Sequence, residues 1–359
     1  AGATCRRPAP KRLAAPLSSP IRSVAVTIED LVQDVTSTRW ADPAAFAEAA
    51  AAVLRYQRSQ NAVYDRFCQS STAWTAWAEA PHLPVEAFKH VPVTTFPPAD
   101  ADHVFESSGT GRGIPSKHYV RRLDLYQRVV TVHFERVFGT GPFTFVAHLP
   151  GYAESGSRSS LLYMVDVLIR RYGDAASGFF LDDPSLLDAA LDHHARRDTQ
   201  LLLFGAAFGL LDLLEARPVA LPAESIVIET GGMKTYRREM DRDELHDRLA
   251  SGFGIAGDRV FSEYGMCELM SQCYTRGDHV FYPPPWMRFR VVDPERPTRE
   301  VPEGASGALA LFDLANVYTA SALLTEDRAI RVGNGFRVLG RLSDAELRGC
   351  NFLVESDAS

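Results

Sequence analysis

Val104 to His118 reads Val-Phe-Glu-Ser-Ser-Gly-Thr-Gly-Arg-Gly-Ile-Pro-Ser-Lys-His, with Gly109, Gly111 and Gly113 at alternate positions. Around them stand Ser107, Ser108 and Thr110, with Arg112 and Lys117 as cations. Glycine permits positive φ and lets backbone N–H groups converge on an anion, so the segment has the composition of a phosphate grip. Two more segments carry chemistry. Ile226 to Lys234 is a β-run stopped by Gly231-Gly232, the form a backbone takes where it passes close to a flat ligand, and it ends on the cation Lys234. Ser262 to Gln272 contains Tyr264-Gly265-Met266-Cys267-Glu268, which offers an exposed aromatic stacking face, room at the backbone and a hard oxygen donor for a magnesium ion.

The elements around the first loop narrow its identity. It lies between the apolar run at Val104 and the strand-like His118-Tyr119-Val120, so it joins strand to strand, whereas Walker and dinucleotide loops open directly into a helix. The Walker pattern also fails by letter, because Gly111 is followed by Ser116-Lys117-His118 and not by Gly-Lys-Ser/Thr. On these letters alone, a ligand grip and a tight hairpin that binds nothing are equally compatible. Downstream, a helix is expected over Arg122 to Phe138, with Leu123, Tyr126, Val130, Phe134 and Val137 on one face. A strand follows over Phe143 to Leu149, a buried helix over Ser159 to Arg170, and a strand over Leu201 to Phe204 closed by Gly205. Asp42-Pro43 reads as an N-cap with proline in the first turn, and Asp241 to Glu244 caps a helix ending near Gly252. Strands alternating with helices favour a largely parallel α/β core. The Tyr282-Pro283-Pro284-Pro285-Trp286 run predicts a rigid loop flanking a ligand pocket or a partner surface. Phe179-Phe180 and Phe204 to Leu214 are read as core, with the lining of an apolar tunnel as the alternative.

Composition bounds the function. The chain has 359 residues, 46% of them hydrophobic, which suffices for a large core, and its formal net charge of −7 argues against a general nucleic-acid binder. No apolar run reaches the length of a membrane span. Cys5, Cys68, Cys267, Cys273 and Cys350 show no Cys-x-x-Cys spacing, a pattern that fits reduced thiols in a cytoplasm. His193-His194 beside Asp192 and Asp198 reads as a polar helix end in preference to a metal site. Residues 1–28 hold Arg6, Arg7, Lys11, Arg12 and Arg22 without an acidic residue, and are expected to form a flexible basic arm.

The Ser-Ser-Gly-Thr loop, the Gly-Gly turn, Tyr264-Gly265-x-x-Glu268, Thr325-Glu326-Asp327 and Gly340-Arg341 with Arg348-Gly349 stand in the order found in adenylate-forming enzymes. The sequence resembles that acyl-CoA synthetase and luciferase superfamily. Pro84 to Lys89, Glu229 to Lys234, Ser262 to Gln272, Tyr282 to Met287 and Arg348-Gly349-Cys350-Asn351 resemble more narrowly the acyl-protein synthetases of bacterial fatty-acid reductase. The resemblance runs from about Pro81 to Leu353.

It implies an α/β fold of stacked β-sheets flanked by helices, the large N-terminal domain of that superfamily, over residues 29–336. Residues 337–359 would form a hinge remnant and tail in place of the superfamily's C-terminal domain. It further implies that Ser107, Ser108, Gly109 and Thr110, with Gly111, Arg112 and Gly113, grip the phosphates of ATP. Gly231 and Gly232 would line the adenine slot, Tyr264 with Gly265 and Met266 would lie against the purine, and Glu268 would ligate Mg2+. Asp327 would hold the ribose hydroxyls, and Arg341 would precede the hinge. Read from the residues alone, Lys234 and Arg237 either neutralise phosphate or carboxylate or are solvated cations at a helix start. The implied activity is conversion of a carboxylic acid, of fatty type, to acyl-AMP and then to a thioester on Cys350, for delivery to an acyl reductase partner. Transfer to a carrier protein or an amine is one alternative, and a non-catalytic subunit of a reductase or synthase assembly is another. The loop departs from the family's Ser-Gly-Thr-Thr-Gly, and Cys267 stands where the family carries threonine, which places a weaker donor on the phosphate path.

Overall fold

The computed structural model describes residues 26–69, 74, 76–107, 114–152, 158–181, 183–197, 199–231 and 240–342. In chain order the first helices are α1 (Ile28–Asp34), α2 (Pro43–Gln60) and α3 (Ala62–Gln69). Asp42 caps α2 by accepting from the Ala45 N–H, with Pro43 in the first turn, and Phe46, Ala50, Val53 and Leu54 are buried along one face as the spacing predicts. The short strand β1 (Leu83–Pro84) leads into one turn of helix, α4 (Ala87–His90). The hairpin β2 (His103–Glu106) and β3 (Lys117–Val120) follows, and then α5 (Leu123–Phe138).

Next come β4 (Phe143–His148), α6 (Ser160–Tyr172), β5 (Gly178–Phe179), α7 (Ser185–Arg197), β6 (Gln200–Ala206), α8 (Ala207–Ala216), β7 (Ile226–Thr230), α9 (Arg242–Phe253) and β8 (Val260–Tyr264). These strands form a parallel sheet in the order β5-β4-β6-β7-β8, closed by an antiparallel strand β9 (Cys273–Tyr274). The sheet is apolar on both faces, as a parallel sheet must be. Phe145, Leu202, Phe204 and Ile228 face the core that includes α5 and α6, while Val146, Leu203, Val227 and Val260 face α7, α8 and α9. β6 runs on through Gly205 to Ala206, so Gly205 does not close it. Asp241 accepts from the Glu244 N–H and starts α9, which Gly254 ends with φ +71°.

The parallel expectation holds for this sheet only. Residues 287–341 fold as an antiparallel sheet of β10 (Met287–Asp293), β11 (Arg296–Glu300), β12 (Ser306–Asp313), β13 (Ala322–Val332) and β14 (Gly335–Arg341), in the order β11-β10-β12-β13-β14. The links after β10 and β13 are two residues long, too short for a crossover helix, and this forces hairpin pairing. β1 joins β13 in parallel, Leu83 opposite Leu323 and Pro84 opposite Leu324.

The triple-proline run seals the core instead of flanking a pocket. Trp286 is fully buried, and its indole N–H donates to Ser271 Oγ at 2.8 Å. Phe180 and Phe204 are likewise buried in the packed cores. No helix among the described residues is long and apolar enough to cross a membrane.

Candidate active site

A cleft of about 480 Å³ opens between the C-terminal ends of β7 and β8, the β2–β3 hairpin and the β13–β14 hairpin. It draws on segments more than 200 residues apart, from Val85 to Arg341. The strand–loop–strand reading of the opening loop is correct, because β2 and β3 pair antiparallel with Glu106 opposite Lys117. The two ends of the loop are held together: Ser107 N–H donates to Ser116 O at 3.0 Å, and Ser116 N–H donates to Ser107 Oγ at 2.9 Å. Ser107 lines the cleft. Ser108, Gly109, Thr110, Gly111, Arg112 and Gly113 lie outside the described residues, as do Gly232, Lys234, Cys5 and Cys350.

At the end of β7, Gly231 lines the cleft with φ +97°, a conformation that a side chain would strain. After β8 a Cβ on Gly265 would stand 2.5 Å from Glu263 Oε1, so any side chain there would require the Glu263 carboxyl to shift.

Tyr264 is half-buried, not exposed as its sequence context suggests. Its hydroxyl donates to Asp327 Oδ2 at 2.7 Å, and its ring meets those of Phe281 and Phe336, each at 5.6 Å between centroids. Asp327 and Arg341 are register partners on β13 and β14, and Arg341 Nε lies 3.3 Å from Asp327 Oδ1. Arg341 also donates through Nη1 to Glu326.

The segment after Gly265 is tied down from two sides. His118 Nδ1 lies 2.7 Å from Cys267 O, and Asn316 Nδ2 donates to Glu268 O at 2.7 Å. Cys267 is buried with its thiol 3.9 Å from Ser116 O, and burial pushes the thiol well above its ordinary range, so it stays protonated. Glu268 is 7% exposed, and burial raises its carboxyl above the usual carboxylate range. Tyr264, Gly265, Met266, Cys267, Glu268, Asp327 and Arg341 all line the cleft.

Three cleft residues escape sequence reasoning. Arg242, at the start of α9, reaches the cleft wall and donates to the fully buried Glu229 at 2.6 Å. The available signal was Glu229 itself, a carboxylate inside an apolar strand that requires a partner. Lys89 and Glu326 also line the cleft, although only their motifs were noted. His193 pairs with Asp174 at 3.2 Å and His194 faces Thr199 O, the polar helix end that the sequence suggests. The described cysteines, Cys68, Cys267 and Cys273, are free thiols.

Glu263 carries a pH dependence. Burial, with the neighbouring Glu229 adding to it, pushes its carboxyl from 4.5 to about 7, against the donating Thr230 hydroxyl. The folded state therefore holds this proton more tightly than the unfolded chain. The resulting stabilisation is full below about pH 4.5 and is lost as pH rises through about 7. Across that window the wild type should lose on the order of 3 kcal/mol relative to Glu263→Gln. Urea denaturation of both proteins at acid and at mildly alkaline pH measures the difference; a gap that does not change with pH would show that Glu263 titrates normally.

Residues 191–358 match the family described as "Acyl-protein synthetase, LuxE". A comparison with curated protein sequences found no match. Among solved structures the fold is similar to 2-hydroxyisobutyryl-CoA ligase in the postadenylation state with 2-HIB-AMP, at a TM-score of 0.63 and 15% identity, covering 83% of this chain and 67% of the ligase. The same ligase in the thioesterification state with 2-HIB-AMP and CoA gives a TM-score of 0.59 at 15% identity, covering 84% and 68%. Its open conformation gives 0.57 at 15% identity, covering 84% and 71%. The fold is thus similar to that of 2-hydroxyisobutyryl-CoA ligase, and residues 191–358, a little under half of the chain, carry the pattern of the acyl-protein synthetase family.

Proposed function

We propose that this chain activates a carboxylic acid with ATP, giving acyl-AMP and pyrophosphate, and passes the acyl group to the thiol of Cys350 for onward delivery to a partner. The observation that carries the reading is the cleft itself, which gathers Ser107, Gly231, Tyr264, Glu268, Asp327 and Arg341 from four separate segments around one space. In this reading Asp327 receives the ribose hydroxyls and Tyr264 with Gly231 borders the adenine. The phosphates would be bound by residues 108–113, the segment between the hydrogen-bonded Ser107 and Ser116. A carboxylate oxygen attacks the α-phosphorus, and the bond from phosphorus to the pyrophosphate oxygen breaks. No general base is needed, since the nucleophile is already an anion; positioning and charge stabilisation supply the catalysis.

Among the described residues no three His, Cys, Asp or Glu side chains cluster to hold a metal unaided. Mg2+ suits such a site, because it keeps several waters and takes phosphate oxygens together with one or two carboxylates. Glu268, buried at the cleft wall, fits that role. The ion would supply neutralisation of phosphate charge. The postadenylation and thioesterification complexes of 2-hydroxyisobutyryl-CoA ligase, whose fold this chain shares, support the same two-stage order here. Residues 29–336 would make up the adenylating core, and 337–359 the tail that carries the acyl group.

The test is ATP–pyrophosphate exchange with Mg2+ and a panel of carboxylic acids, followed by intact-mass measurement. Exchange with at least one acid and a mass increase of one acyl group are expected. Cys350→Ala should abolish the mass increase and leave exchange within about twofold of wild type. Absence of exchange with every acid would make the chain a non-catalytic relative. Exchange without an adduct would move the acceptor to a carrier protein or an amine.

A further inference from the structure

Three cations border the cleft among the described residues, Lys89, Arg242 and Arg341, and each is paired with a carboxylate. Arg242 is held on buried Glu229 and lies over the Phe281 ring at 4.9 Å. Arg341 is held on Glu326 and Asp327. Lys89 differs in geometry. It sits on α4, which follows directly from β1, where Val85 N–H donates to Leu324 O at 3.0 Å, two residues before Glu326. On its other side α4 touches β3, through the Phe88 and His118 rings at 5.8 Å. Lys89 thus stands between the strand that ends the phosphate loop and the strand that carries Asp327.

Its ammonium lies 2.5 Å from Glu86 Oε2 and 3.6 Å from Glu326 Oε1, with the side chain 29% exposed. Glu326 is shared: Oε1 faces Lys89 and Oε2 takes Arg341. Glu326 therefore keeps a cation if Lys89 moves away.

Adenylation brings two anions together, and the increase of charge at the α-phosphorus needs a cation that can reach both. Lys89 is a compact charge on a flexible stem, which suits it to move where the forked and anchored arginines do not. We propose that Lys89 is a catalytic residue of the adenylation step, its ammonium leaving Glu86 and Glu326 to contact the oxygens of the α-phosphate and the attacking carboxylate. Lys89 stays protonated throughout, while the carboxylate–phosphorus bond forms and the bond to pyrophosphate breaks. The inference rests on the adenylation reading above.

The experiment is ATP–pyrophosphate exchange by wild type, Lys89→Met and Lys89→Arg with the best acid of the panel, together with a denaturation midpoint for each. A half-exposed pair such as Lys89–Glu86 contributes about 1 kcal/mol or less, so the variants should keep the wild-type midpoint. Lys89→Met should lose about 100-fold or more in kcat with the KM for ATP within about threefold, and Lys89→Arg should recover part of that loss. Lys89→Met within about threefold of wild-type kcat would overturn the proposal. A loss confined to KM would overturn it too, since Lys89 would then only bind ATP in the ground state. Absence of exchange in the wild type itself would remove the adenylation reading and this inference together.

Discussion

Glu268→Gln is expected to lower pyrophosphate exchange by about 100- to 1,000-fold without lowering the denaturation midpoint. The two effects separate because the carboxylate is 7% exposed and burial already disfavours its charge. A neutral amide of the same shape avoids that cost, so the folded state loses nothing by the exchange. A carboxylate kept ionised there would be held at a cost to the fold, as at many functional sites. What the variant removes is the oxygen that would join phosphate oxygens around Mg2+. Steady-state exchange at varied Mg2+ and ATP, beside a urea titration, measures both effects. Near-normal exchange in Glu268→Gln would take this residue out of the metal site, and a large drop in midpoint would make it a structural carboxylate.

Trp286→Ala is expected to cost about 3–5 kcal/mol, a large share of the 5–15 kcal/mol typical of a folded domain. The side chain is fully buried, meets the His133 ring at 6.0 Å and lies under Arg136 at 5.1 Å. Its indole N–H donates to Ser271 Oγ, whose own hydroxyl donates to Asp313 Oδ1 at 3.0 Å. Asp313 in turn accepts from the backbone N–H groups of Ser271 and Ala315. Removing the ring therefore opens a cavity and slackens the segment that holds Glu268 in place, so exchange should fall along with stability. Trp286→Phe keeps most of the packing and loses one hydrogen bond, and should cost roughly 1–2 kcal/mol. Urea titrations of both variants decide the matter. Equal costs for Phe and Ala would assign the effect to the hydrogen bond and not to the volume.

Local chemistry was legible in the residues. Asp42-Pro43 and Asp241 start helices where their side chains can accept a backbone N–H, and the loop at Ser107 joins two strands as its flanks indicate. The Tyr264 to Glu268 segment, Asp327 and Arg341 do meet in one cleft. What escaped depends on partners far along the chain. Tyr264 loses its exposed face to an aspartate 63 positions away. Lys89 reaches the cleft because Leu83 and Pro84 pair with β13, a contact that no local periodicity encodes. Trp286 was misplaced for a different reason. Three prolines exclude regular structure and suggest a surface loop, yet a segment poor in N–H donors can also cross the interior, since it has fewer donors to satisfy there.

Asp327 enters the site with both oxygens engaged, one by the Tyr264 hydroxyl and the other by the Arg341 guanidinium. Each oxygen keeps a further lone pair, so a ligand hydroxyl that donated to Asp327 would join a carboxylate already fixed in place. A ligand bound there would be tied at once to β8 and to the β13–β14 hairpin, because Tyr264 and Arg341 hold the same carboxylate.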